Sequence, residues 1–141
     1  MMDRPPLPDS PQDSIGGAGA LRILVVEDEE ALREVTVEVL ARAGYQPVSA
    51  EHGLEAVERF KQAPDQFALV ILDLTMPHMD GATCLRHLRS LRPGVRVLLT
   101  TGHQDPDIGP AAGGEKPTGF LAKPYRISDL LKAVQAALAD S

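Results

Sequence analysis

Three carboxylates, one hydroxyl and one ammonium are the side chains best placed to do chemistry, because each stands where an apolar run stops. Glu27 and Asp28 follow LRILVV, Asp73 closes ALVILD, Thr101 closes VRVLLTT, and Lys123 precedes Pro124 after GFLA. If every run is a parallel strand, all of these residues lie at strand C-terminal ends, the edge of an open α/β sheet where ligand crevices form. Carboxylates gathered there repel one another, and a hard cation relieves the repulsion. Oxygen-only donors with room for water suit Mg²⁺, with Mn²⁺ as a substitute. The hydroxyl and the ammonium are donors for phosphoryl oxygens, so the set suits a divalent cation and a phosphoryl group in one pocket. Each signal alone has a plainer reading. Asp28 before EEALREV could cap a helix, Asp73 could sit in a turn, Thr101-Gly102 could end a strand, and Lys-Pro alone says nothing. Their joint order carries the reading.

The elements that must position these residues are legible as β-branched apolar runs alternating with helix-period segments, the pattern of a parallel sheet covered on both faces. Strands are predicted over 21–26, 46–50, 68–73, 95–100 and 119–122. Between them Leu32, Val35, Val39 and Leu40 recur at helical spacing, as do Leu54, Val57 and Phe60, and then Leu85, Leu88 and Leu91. In the last helix Ile127, Leu130, Leu131, Val134 and Leu138 form the apolar stripe. Gly44 is the expected C-cap of the first helix. The expected fold is therefore α/β, a doubly wound five-stranded parallel sheet in the flavodoxin-like order 2-1-3-4-5. That order makes the first and third strands neighbours, so Glu27, Asp28 and Asp73 converge where the winding reverses. One helix slot reads badly: residues 103–118, HQDPDIGPAAGGEKPT, contain three prolines and three glycines. Each internal proline costs a helix ~3 kcal/mol and each glycine ~1 kcal/mol, which predicts a weak or missing fourth helix between the fourth and fifth strands.

Composition narrows the function classes. With 141 residues, 43% of them hydrophobic, the chain can bury one core. Residues 1–20, rich in proline and glycine, read as a flexible linker or tail, leaving one domain over 21–139. Twenty acids against fourteen Lys and Arg, a net charge of −6, argue against nucleic acid or an anionic membrane as partner. No signal region opens the chain and no apolar run approaches the ~20 residues of a membrane span. A cytoplasmic protein is expected, and the single Cys84 reads as a small packed helix residue. His52, His78, His87 and His103 fit no metal spacing, and the first three are expected at the surface. Pro77, Met79, Asp80 and Gly81 are expected to shape the turn beside Asp73.

The runs RILVVEDEEALREVTVEVLARAGY, ALVILDLTMPHMDG, VLLTTGH and GFLAKPY together resemble the receiver domain of two-component response regulators, over about residues 21–139. The resemblance is specific, because an acid pair, D-x-x-M-P-x-M-D-G, T-G and K-P occur in that order. It implies that Asp73 is the phosphoacceptor, that Asp28 and Asp73 ligate Mg²⁺ directly with the Thr75 backbone carbonyl, and that Glu27 acts partly through water. Thr101 and Lys123 would hold the phosphoryl group. It further implies a switch in which Thr101 moves inward and Phe120 fills the vacated space. Phe120 lacks the hydroxyl of the tyrosine often found there. Thr75 and His103, two residues beyond Asp73 and Thr101, would flank the attacking water and tune phosphoryl lifetime. The implied donor is a histidine kinase or a histidine phosphotransfer protein, with an unknown downstream protein as listener. The wording is most similar to C-terminal receivers of hybrid sensor histidine kinases, so the chain is expected to be such a receiver or a free-standing relative.

Two other function classes compete. A nucleotide- or flavin-binding domain of the same topology needs a glycine- or hydroxyl-rich loop after the first strand, whereas EDEE stands there and repels phosphate. A pseudo-receiver would act as a protein-interaction domain independent of phosphorylation.

Overall fold

The computed structural model describes residues 20–74, 79–102 and 115–139. Its strands are β1 (Arg22–Val26), β2 (Gln46–Ala50), β3 (Phe67–Asp73), β4 (Val97–Thr101) and β5 (Gly119–Ala122). The α-helices among the described residues are α1 (Glu30–Arg42), α2 (Gly53–Gln62), α3 (Gly81–Leu91) and α4 (Ile127–Ala139). All strand pairs are parallel, in the order β2-β1-β3-β4-β5. This is the expected doubly wound α/β sheet. No described helix is long and apolar enough to cross a membrane.

Strand side chains alternate between faces, and the two faces have separate cores. Leu24, Val26, Val70, Leu72 and Leu99 pack on one side with Ala56 and Phe60 of α2 and Cys84, Leu85 and Leu88 of α3. Ile23, Val25, Leu69, Ile71 and Leu98 pack on the other with Leu40 of α1 and Leu130, Val134 and Ala137 of α4. Each fully buried aliphatic side chain contributes about 1.5–3 kcal/mol. The central strands are thus apolar throughout, and polar residues enter only where they end. Register aligns those ends, pairing Val26 with Leu72, Asp73 with Thr100 and Thr101 with Ala122.

Three details differ from the sequence expectation. β4 starts at Val97, because Val95 N–H turns back to the Arg92 carbonyl at 3.0 Å, and it runs on through Thr101. The apolar stripes are rotated: Val35 and Leu54 are 50% exposed and Ile127 56%, while Thr36, Ala56 and Gly53 face inward. Thr36 tolerates burial because its hydroxyl donates to the Leu32 carbonyl at 2.8 Å, leaving the methyl to pack. Asp28 is not the cap of α1; Glu29 holds that position without a side-chain cap bond. Gly44 does end α1, with φ of 98°, Gly44 N–H on the Ala41 carbonyl and Tyr45 N–H on the Leu40 carbonyl, a Schellman motif.

Residues 115–118 carry no helix, in line with the weak slot expected after β4; 103–114 and residues 1–19 of the linker expected over 1–20 lie outside the described residues. His87 is exposed as expected and His78 lies outside them. His52 is only partly exposed: its Nδ1 accepts Glu55 N–H at 3.2 Å and caps α2.

Cys84 is fully buried on α3, and burial together with the nearby Asp80 carboxylate pushes its thiol up to about 12 from 9.0. Folding therefore resists thiolate formation. The stability so gained is fully present below pH 9 and is lost as pH rises toward 12. Thermal denaturation of Cys84→Ala between pH 8 and 11 should show a shallower alkaline fall in Tm than wild type. Equal slopes would assign the alkaline loss to other groups.

Candidate functional site

Glu27 follows β1 and is held from both sides of its peptide. Its N–H donates to the Ala50 carbonyl at 3.1 Å, extending the β1–β2 ladder, and its carbonyl accepts from Arg33 Nη1 at 2.9 Å. The side chain is 4% exposed. Oε2 accepts Glu29 N–H at 3.2 Å, and Oε1 lies 2.9 Å from Lys123 Nζ. Asp73, also 4% exposed, ends β3 with Oδ2 3.3 Å from the same ammonium. Asp28 is solvent-exposed. Carboxylate oxygens of Glu27, Asp28 and Asp73 lie within 4.8 Å of one another. Lys123 thus bridges the two buried acids, while the third faces water.

The lysine is fixed from the neighbouring strand. Its N–H donates to the Thr101 carbonyl at 2.6 Å, and its peptide to Pro124 is cis. Burial opposes its charge, yet the hydrogen bond it donates to Glu27 and the charges of Asp73 and Glu27 outweigh that cost, so its pKa lies above the ordinary lysine value. It remains an ammonium at neutral pH. Thr101 is buried at the end of β4, one residue beyond the Thr100 that pairs with Asp73.

The turn after Asp73 is held by Gly81. Its N–H bonds to the Leu74 carbonyl at 2.8 Å, and a Cβ there would lie 2.6 Å from Leu74 Cα and 2.7 Å from the Asp73 carbonyl oxygen. Only glycine permits that approach. Asp80 caps α3 by accepting Thr83 N–H at 2.8 Å. Met79 packs on the core and presses within 3.1 Å of where a Gly53 Cβ would stand. The turn-shaping role expected of these residues is seen at Asp80 and Gly81, whereas Met79 packs on the core.

Glu27, Asp28, Asp73 and Lys123 are thus brought together, with Thr101 on the adjacent strand end. Thr75, His103 and Pro77 lie outside the described residues. Phe120 sits on β5 opposite Leu99 and is 48% exposed. Sequence reasoning missed Tyr125, whose hydroxyl lies 3.5 Å from Thr36 Oγ1. It also missed the cleft of about 280 Å³ between Glu29, Leu32, Lys123, Pro124 and Tyr125. The only sequence signals were an aromatic two residues past the lysine and a threonine interrupting an apolar stripe.

An acid cluster bridged by a lysine at the C-terminal edge of a 2-1-3-4-5 sheet defines a receiver-type site. Residues 23–135 match the family model described as the response regulator receiver domain, and the chain belongs to that family. It is 34% identical to the chemotaxis protein CheY of Bacillus subtilis (strain 168), covering 84% of this chain and 98% of that protein. It is 32% identical to the sensor kinase CckA of Brucella abortus (strain 2308), covering 86% of this chain but only 13% of the kinase. Among solved structures, the chemotaxis protein CheY4 of Vibrio cholerae superposes with a TM-score of 0.77 at 28% identity, covering 84% of this chain and 99% of that one.

The donor set is all oxygen, clustered and open to water on the Asp28 side, which fits a hard divalent cation such as Mg²⁺. Removing one of three mutually repelling carboxylates should help the cation-free fold. Asp28→Ala is expected to raise Tm in chelator by about 1–3 °C and to lose the further gain that wild type shows on adding MgCl₂. A lower Tm in chelator would count against a repulsive cluster.

Proposed function

We propose that this receiver domain takes a phosphoryl group onto Asp73 from the phosphohistidine of a histidine kinase or histidine phosphotransfer protein, or from a small acyl phosphate. Asp73 Oδ attacks phosphorus; with phosphohistidine the P–N bond breaks and the leaving imidazole nitrogen takes up a proton from solvent, and with an acyl phosphate the P–O bond to the acyl group breaks and the carboxylate leaves. Water attacking the same phosphorus later breaks the new P–O bond, releasing inorganic phosphate and restoring the carboxylate. The domain thereby acts as a timed switch, catalysing only its own phosphorylation and dephosphorylation. The observation that carries this reading is the ammonium of Lys123 within 3.3 Å of a buried Asp73 inside an acid cluster.

In this reading Asp28, Asp73 and the Thr75 carbonyl hold Mg²⁺, with Glu27 acting partly through water. When bound, Mg²⁺, or Mn²⁺ in its place, supplies charge neutralisation for a phosphoryl group that spreads negative charge over its equatorial oxygens. The protein's own part is positioning. Lys123 is kept charged by its acidic neighbours and meets one phosphoryl oxygen, while the Thr101 hydroxyl meets another. The phosphoryl group adds about −1.5 to −2 charge at the sheet edge. That charge draws Thr101 inward, and Phe120 turns from its half-exposed position toward the space left behind. The changed face is read by a downstream protein in the cytoplasm.

Incubating the protein with acetyl phosphate and MgCl₂ should add the mass of one phosphoryl group to wild type and none to Asp73→Asn, as read by intact mass spectrometry. Wild type that stays at its starting mass with acetyl phosphate and with a phosphorylated kinase would leave the pseudo-receiver reading standing. Thr75 and His103 are proposed to set lifetime, so changing both should alter the decay rate of the labelled species while Mg²⁺ affinity stays within about twofold. Identical decay would retire that role.

A further inference from the structure

Lys123 lies in the loop between Ala122, the end of β5, and Ile127, the start of α4. Among the described residues, the last backbone bond from this loop to the sheet runs from the Lys123 N–H to the Thr101 carbonyl. Two residues on, Tyr125 makes the side-chain contact that ties it to α1. Its hydroxyl is 3.5 Å from Thr36 Oγ1, and its ring packs on the core shared by α1 and α4. Thr36 is 2% exposed. Its single hydroxyl hydrogen already goes to the Leu32 carbonyl at 2.8 Å. A threonine hydroxyl donates once and accepts with its lone pairs, so in the Tyr125–Thr36 contact the tyrosine must donate. The result is a directed chain, Tyr125 O–H to Thr36 O–H to Leu32 C=O, running from the lysine loop into the body of α1.

Both ends of that chain border the cleft beside the site, since Leu32, Lys123, Pro124 and Tyr125 all line it. Tyr125 also lies in the field of the site. Burial raises its phenol above the ordinary value, and the charges of Glu27, Lys123 and Asp73 all reach it. The helix that receives the brace is the one that begins just after Glu27 and Asp28. Bracing the loop on α1 therefore fixes the lysine and two of the acids to one rigid element.

We infer that Tyr125 is a positioning residue for Lys123: its hydroxyl, donating to Thr36, holds the loop on α1 so that the ammonium stays between Glu27 and Asp73. The contacts it protects are 2.9 and 3.3 Å long, so a loop drift of about 1 Å removes the ion pairs' geometric advantage. This inference rests on the role proposed above for Lys123.

The test uses Tyr125→Phe, Thr36→Val and the double variant of the full chain. Each change keeps the packing and removes one partner of the contact. With acetyl phosphate and saturating MgCl₂, each single variant should lower the maximal phosphorylation rate about two- to threefold, less than one full net hydrogen bond because the contact is long at 3.5 Å, and the double variant no further. Mg²⁺ affinity, measured by calorimetry without a phosphodonor, should stay within about twofold. In a Lys123→Ala background Tyr125→Phe should add nothing. Independently of phosphorylation, the Lys123 ammonium signal in NMR should be protected from solvent exchange in wild type and lose that protection in Tyr125→Phe. Unchanged protection in Tyr125→Phe, or an equal slowing in the Lys123→Ala background, would overturn the inference. If wild type is never phosphorylated, the receiver reading fails while the ammonium measurement still decides the role of Tyr125.

Discussion

The structure turns on one electrostatic problem: three carboxylates at the end of an otherwise apolar sheet, two of them almost fully buried. Buried charge is costly unless it is paired. Lys123 meets that cost for Glu27 and Asp73, and Asp28 avoids it by facing water. One ammonium among three acids leaves the cluster net negative, which is the condition for drawing in a divalent cation.

The surrounding fold can be understood as what keeps this arrangement from relaxing. Parallel pairing aligns the ends of β1, β3, β4 and β5, and the separate cores on the two faces prevent the strands from slipping, because a shift by one residue would turn every apolar side chain to the wrong face. At the ends the backbone is tied again, by Glu27 to Ala50, Leu74 to Thr100 and Lys123 to Thr101. Gly81 lets the turn after Asp73 fold back onto the strand where any side chain would collide.

Rigidity is unevenly distributed. Glu27 and Asp73 end strands packed on both faces, whereas Lys123 belongs to a loop after β5, a four-residue edge strand of alternating exposure. The ammonium is therefore the part of the site whose position depends most on side-chain contacts. Those contacts are Glu27 and Asp73 on the sheet side and the Tyr125–Thr36 contact on the α1 side.

The strand order and the convergence of Glu27, Asp28 and Asp73 were legible in the chain itself. Apolar runs mark strands because a doubly covered strand tolerates nothing else, and polar residues that close such runs must fall at the sheet edge. Which helix positions face inward was less legible. Val35 and Leu54 outrank Thr36 and Ala56 in hydrophobicity, yet the smaller residues lie inward. Lys123 as the bridge between Glu27 and Asp73, and Tyr125 as its brace to an α1 residue 89 positions away, were decided by tertiary structure alone. Sequence spacing carries information about neighbours along a strand or helix, whereas a contact between distant side chains depends on how whole elements pack, and no local pattern encodes that distance.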